Sequence, residues 1–331
     1  MPPSLSVVLL TWNEEANIAA CLTALAKQSR QDFEVIVVDA ASSDRTVPIV
    51  LETQPSLPYP LRLVVAETRI SVGEARNRGV QLAQAPNVAF LSADTEPSPR
   101  WTEMALMRLD GADLVYGMQV HAPTEQGLGA AVRGLRYHFP SGAALDPSKY
   151  ASHVNAAIRR EILVTFPIGT TPGASAVDDI LLVKRATKAG YRAAYEPRMA
   201  VLHRDVDSWR TEMRKNRREG LGLGEHADEL GLQTPVLVWA VLLAGGLTYL
   251  LLQPGLSSGL VLGFVLWLPA LRRAAKRARR MPAGRLALGL AASPAFDLAF
   301  LLAYVRGLLR SSRRSNDRPT EARIEPAQAG R

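Results

Sequence analysis

For its first two-thirds the chain alternates short apolar runs with stretches that carry apolar residues at helical spacing. Ser6–Leu10, Phe33–Val38, Leu61–Val65 and Val88–Leu91 are brief runs of the kind that form buried strands. Between them Ile18, Leu22 and Leu25 recur at helical spacing, Gly73–Ala83 and Ser98–Leu109 read as helices, and Leu114–Val120 reads as extended. Asn13 is placed to cap the first helix, with Glu14 and Glu15 near the positive end of its dipole. Strands alternating with helices predict an α/β fold with a mostly parallel central sheet covered on both faces. Such sheets bind ligands beyond the carboxyl ends of their strands. Asp39 and Asp94 both stand at strand ends facing that crevice, although an aspartate there is also an ordinary turn former.

After Gln233 the pattern changes to long apolar segments separated by arginine clusters. Thr234–Leu252 is long enough to span a bilayer, Gln253-Pro254-Gly255 makes a turn, and Leu256–Leu271 returns as a shorter second span. The arginine-rich stretch Arg272–Arg280 is then cytoplasmic by the positive-inside rule, on the side of the N-terminal domain. Leu286–Val305 contains Asp297 and the pair Ser293-Pro294; it is a third span or a re-entrant or interfacial segment, and the latter is favoured. The expected layout is a globular domain over residues 1–225, a membrane domain over 226–310 and a disordered basic tail over 311–331.

Composition sharpens this. The net charge of +8 sits largely in Arg272–Arg285 and Arg306–Arg318, beside apolar segments, so it reads as topology and contact with anionic lipid. No zinc spacing, aromatic RNA-binding pattern or basic zipper accompanies it, which argues against nucleic acid as a partner. The single cysteine, Cys21, excludes an intrachain disulfide and reads as a core residue. Ser6–Leu10 is too short for a signal peptide, so the N-terminus is expected in the cytoplasm. These features describe a multi-pass protein of the cytoplasmic (inner) membrane, with its globular domain in the cytoplasm.

Several segments, in order, resemble the family 2 glycosyltransferases. Val7–Glu15 looks like that family's opening strand and turn, and Phe33–Thr46, with Asp39, Ser42 and Asp44, like its second strand and aspartate-rich turn. Gly73-Glu74-Ala75-Arg76-Asn77-Arg78-Gly79 matches its Gly-x-Ala-Arg-Asn-x-Gly segment, and Ser92-Ala93-Asp94 sits where its Asp-x-Asp motif is expected. Asn155–Arg160 is similar to the acceptor-side segment, and Asp178-Asp179 to the Glu-Asp motif that supplies the catalytic base.

The resemblance implies a GT-A fold and inverting transfer from a nucleotide-sugar donor to a hydroxyl. It makes Asp179 the general base, with Asp178 positioning the acceptor or tuning its neighbour; two acids at a helix start also suit the helix dipole. Thr11, Asn13, Glu14, Asp39, Arg76, Ser92, Ala93 and Asp94 are the implied donor-binding residues. Arg217, in the basic run Arg214–Arg218, is expected at the diphosphate or at anionic lipid. A hard cation, Mg²⁺ or Mn²⁺, is implied on Asp94, with His203 as a second ligand or a structural histidine. The Gln-x-x-Arg-Trp motif of processive synthases is absent, which implies one sugar per acceptor. Membrane anchoring suggests a lipid-linked or membrane-proximal acceptor. Ser92, Ala40 and Asp178 depart from the family pattern. They support an alternative, a catalytically degenerate domain acting as a membrane-bound assembly partner.

Overall fold

The computed structural model describes residues 2–121, 128–136, 151–169, 177–204, 208–277, 281 and 283–316. The chain begins with β1 (Leu5–Thr11), α1 (Ile18–Ala26), β2 (Phe33–Asp39), α2 (Thr46–Thr53), β3 (Leu61–Val65), α3 (Val72–Leu82) and β4 (Asn87–Ser92). It continues through β5 (Thr95–Pro97), α4 (Trp101–Leu109), β6 (Leu114–His121), α5 (Leu128–Arg136), β7 (Asn155–Arg159), α6 (Arg160–Thr165), α7 (Asp178–Lys188) and β8 (Ala193–His203). Five further helices follow: α8 (Trp209–Glu225), α9 (Ala227–Leu230), α10 (Thr234–Leu252), α11 (Leu256–Arg277) and α12 (Ala283–Asn316).

The strands form one sheet in the order β3-β2-β1-β4-β7-β6-β8-β5. β3, β2, β1 and β4 run parallel, and β7 lies antiparallel between β4 and β6. Because side chains alternate across a strand, the continuous apolar runs of β1 and β2 feed two cores. Val7, Leu9, Val35 and Val37 meet α1 and α4 on one face. Val8, Ile36 and Val38 meet residues of α3 and α7 on the other. Helix α1 offers Ile18, Cys21, Leu22 and Leu25 to the first core, the stripe expected of a half-buried helix.

Three expectations change. Helix α1 begins at Ile18 with Asn17 as its cap, so Asn13 does not cap it. Instead Asn13 takes a left-handed φ of 56°, and its Oδ1 accepts from the Ser43 amide at 2.8 Å. Helix α4 starts at Trp101, because Thr95–Pro97 is spent as a short strand against β8. At the C-terminal end, α10, α11 and α12 are each long and apolar enough to cross a membrane. Helix α11 runs on to Arg277, and α12 passes Pro294 unbroken and continues to Asn316. The stretch expected to be a tail from residue 311 is thus helical to Asn316; residues 317–331 lie outside the described residues.

Candidate active site

Parallel pairing sets the carboxyl ends of β1, β2 and β4 side by side, with Thr11 opposite Asp39 and Leu10 opposite Ser92. Beyond them lies a cavity of about 200 Å³, whose walls include Thr11, Glu14, Arg76, Ser92, Ala93 and Asp94. Among the described residues, Thr11 Oγ1 is buried without a hydrogen-bond partner on this wall. Burial pushes Glu14 up to about 6, with the nearby Asp94 charge adding to it and the Asn17 hydrogen bond opposing it.

Two turns are laced together at the rim. The amides of Glu14 and Glu15 donate to Thr46 Oγ1 and Asp44 Oδ2, at 2.8 and 3.1 Å. The Arg45 amide returns a bond to Glu15 Oε2 at 2.9 Å. Asp39 is fully buried, and its carboxylate accepts from both the amide and the hydroxyl of Ser42. Ala40, not Asp39, lines the cavity; Asp39 holds the turn that carries it.

Arg76 joins this cavity to a second group of charges. It lines the cavity and donates to Asp178 Oδ2 at 3.1 Å, both side chains being nearly inaccessible. The family-like segment around it explains how α3 gets there. A Cβ on Gly73 would overlap the Gly169 carbonyl, and one on Gly79 would overlap Val8, so both glycines permit close approach. The Asn77 side chain clamps Ile168, donating to its carbonyl at 2.9 Å and accepting from its amide at 3.0 Å.

Asp178 and Asp179 open helix α7. Burial pushes Asp178 up, but Arg76 and His153 outweigh it and hold the carboxyl below its ordinary value. Burial, reinforced by the Asp178 charge, pushes Asp179 up to about 7. His153 Nδ1 lies 3.4 Å from Asp178 Oδ1, and burial lowers its pKa. The His153 ring meets Phe90 edge-on and Tyr116 at a tilt. Among the described residues, His153 Nε2 and the Tyr116 hydroxyl are buried without hydrogen-bond partners.

Strand β5 pairs antiparallel with β8, placing Thr95 opposite His203 and thereby Asp94 beside it. His203 Nε2 is 3.1 Å from Asp94 Oδ2. Asp94 Oδ1 is buried with no hydrogen-bond partner among the described residues. An orphaned carboxylate oxygen beside an imidazole, on a cavity wall, fits a divalent cation. No group of three or more His, Cys, Asp or Glu gathers among the described residues. Among the described residues, Asp94 and His203 are thus the pair placed to hold such an ion.

Three residues here escaped sequence reasoning. Arg69 stacks 3.8 Å over the Trp12 ring at the cavity wall, and His153 joins the Asp178 group. Trp12 sits inside a recognised segment, but nothing in the sequence marks Arg69 or His153, whose partners are distant in the chain. Arg217 is not on the cavity wall; it lies in a groove between α8 and α12 with Arg218 and Arg306.

Residues 6–165 match the family model described as Glycosyl transferase family 2. The glycosyltransferase AglE of Haloferax volcanii is 28% identical over 200 residues, covering 58% of this chain and 64% of the relative. A PGL/p-HBAD biosynthesis glycosyltransferase of Mycobacterium bovis is 35% identical over 119 residues, 35% of this chain and 46% of the relative. The chain thus spans less than two thirds of the length of either. The mannosyltransferase PcManGT of Pyrobaculum calidifontis, solved with GDP-Man and Mn²⁺, has a TM-score of 0.53 at 21% identity, covering 93% of this chain and 88% of that one. Its likeness, with the sheet order above, shows a GT-A-like α/β fold. Residues 6–165, just under half of the chain, thus carry the match to glycosyl transferase family 2.

Proposed function

We propose that this chain is an inverting, non-processive glycosyltransferase that moves a sugar from a nucleotide-sugar to a hydroxyl of a membrane-linked acceptor. The observation that supports it most is Arg76, whose guanidinium lines the cavity at the strand ends while pairing with Asp178 beside Asp179. One residue thereby couples a place for an anionic donor to a raised carboxylate. In this reading residues 1–225 are the catalytic domain, residues 226–310 the membrane domain and 311–331 the tail.

The donor enters the cavity with its diphosphate toward Arg76, whose fork suits paired phosphate oxygens. Thr11, with its unsatisfied hydroxyl, and Glu14 line the nucleoside end, and Asn13 holds the turn behind them. Asp94 and His203 are the residues that would hold Mg²⁺ or Mn²⁺. The ion would supply Lewis-acid neutralisation of the charge growing on the diphosphate. Asp179 takes the proton from the acceptor hydroxyl as its oxygen bonds to the anomeric carbon. The bond from that carbon to the diphosphate breaks on the opposite face, and the diphosphate leaves with the electron pair. A carboxyl near 7 is well matched to that task at neutral pH. Asp178, held ionised by Arg76, keeps the neighbouring carboxyl raised.

The test is transfer and donor hydrolysis by the detergent-purified chain, offered UDP-, GDP- and dTDP-sugars with Mn²⁺ or Mg²⁺. Asp179→Asn is expected to lower transfer by about 10²–10⁴-fold while leaving nucleotide binding within a few fold. Unchanged function in that variant would instead support a degenerate domain serving as an assembly partner.

A further inference from the structure

Helices α8 and α12 run parallel with their backbones in contact. Asn216 Nδ2 donates to the Phe296 carbonyl at 2.6 Å. Four residues on, a Cβ at Gly220 would lie 2.6 Å from the Phe300 carbonyl, and four further on, one at Gly224 would overlap that of Tyr304. Arg310 closes the pair on Glu225 at 3.0 Å. The match of 216, 220 and 224 to 296, 300 and 304 means that the two helices share one depth in any membrane. Helix α8 carries Arg210, Arg214, Lys215, Arg217 and Arg218. If α12 crossed the bilayer, this row of cations would be drawn into hydrocarbon, a costly transfer for each of them. Such a pair lies in the interface instead, with Leu298, Leu302, Val305 and Leu309 of α12, all exposed, turned to the acyl chains.

Between the two helices runs a groove of about 470 Å³. Its floor is apolar, from Met213, Leu221, Ala299 and Leu302, and its rim carries Arg217, Arg218 and Arg306, with no carboxylate among its lining residues. A larger cavity of about 740 Å³, between α10, α11 and α12, contrasts with it, since there Arg273 is paired with Asp297 at 2.5 Å. Three carboxylates lie along α8, Glu212, Glu219 and Glu225; Glu212 is paired with Lys215 and Glu225 with Arg310. One rim residue, Arg218, is felt at the donor cavity. Burial and the charge of Arg218 together lower Arg69, the guanidinium that stacks on Trp12 at the donor cavity.

We propose that this groove binds the phosphate that joins a lipid to its sugar, so that the acceptor is a phosphate-linked lipid glycan held at the headgroup level. The hydrocarbon lies on the leucine stripe, the phosphate between the three arginines, and the sugar hydroxyl faces the donor cavity. This rests on the transferase reading above and names its acceptor class.

The experiment uses the full chain in nanodiscs, with farnesyl phosphate and farnesol as probes and Arg306→Ser as the variant. Arg306 is exposed and outside the donor cavity, so the variant is expected to fold and to hydrolyse donor at the normal rate. Wild type should bind farnesyl phosphate at least about tenfold more tightly than farnesol, and the variant should lose that difference. Phosphatidylglycerol in tenfold excess should fail to displace the probe. Equal binding of the two probes, an unchanged variant, or displacement by phosphatidylglycerol would each overturn the proposal, the last by making the groove a bulk-lipid contact. Intact farnesyl phosphate binding without donor hydrolysis in wild type would sink the transferase reading, and with it the acceptor role, and leave a lipid-phosphate site.

Discussion

At the scale of single residues, two adjacent carboxylates at the start of α7 are set apart by their surroundings. Asp178 is tied to Arg76 and stays ionised; Asp179 is pushed up by burial and by Asp178. In the proposed mechanism proton abstraction needs the Asp179 carboxylate, so kcat/KM should rise with pH through about 7. In Asp178→Asn the like charge is gone, and the acid limb should move to lower pH. A pH–rate profile that stays in place would remove Asp178 from that role. Asp94 makes a second prediction. With Asp94 and His203 as the pair offered among the described residues, the free protein should bind Mn²⁺ weakly, and affinity should rise at least about tenfold when a nucleoside diphosphate adds its oxygens. Electron paramagnetic resonance of free Mn²⁺ measures this without catalysis, and Asp94→Ala should abolish the nucleotide-dependent part.

At the scale of elements, close approach decides the site. Helix α3 delivers Arg76 because Gly79 lets it sit against Val8 of β1 and Gly73 lets it meet the Gly169 carbonyl. Gly79→Ala should therefore destabilise the chain by about 1–3 kcal/mol through overpacking. Val8→Ala in the same chain should return part of that loss, because the methyl then has somewhere to go. Thermal unfolding in detergent reads both, and additive losses would place the strain elsewhere. The segments read as strands from apolar runs were legible because a strand buried on both faces must be apolar throughout, as β1 and β2 are. Strand β5 was not legible: three residues long, it exists through its pairing with β8, and that pairing sets Asp94 against His203. Asn13 misled for a related reason. A residue with a cap's chemistry was claimed by the 42–46 turn, whose amides outcompeted the helix end.

At the scale of the whole molecule, the proposal is a catalytic domain bound to a membrane by a helical hairpin and a surface helix, on the three helices long and apolar enough to cross one. Leu251, Leu252 and Leu256, on either side of the hairpin turn, are among its most exposed apolar side chains, as helix ends that abut lipid require. If α10 and α11 cross and α12 lies at the cytoplasmic face, a cysteine at Ser257 should react with an impermeant maleimide from outside. One at Ser311 should react only from the cytoplasmic side. Outside labelling at Ser311 would make α12 a third span. Cys21 gives no background, since it is fully buried and burial raises its thiol far above the usual range.

The sequence by itself determined the alternation of strands and helices, the change to membrane-compatible helices after Gln233, and the carboxylates at the strand ends. Those are properties of short windows, where burial on one or two faces imposes a period that composition must obey. Only the tertiary structure decided that Arg76 links cavity to carboxylates, that His153 joins them, and that α8 rides along α12. Each of these is a contact between residues some 25 to 100 positions apart. Such contacts depend on which strand pairs with which and on where glycine lets two backbones touch, and neither leaves a periodic mark in the chain.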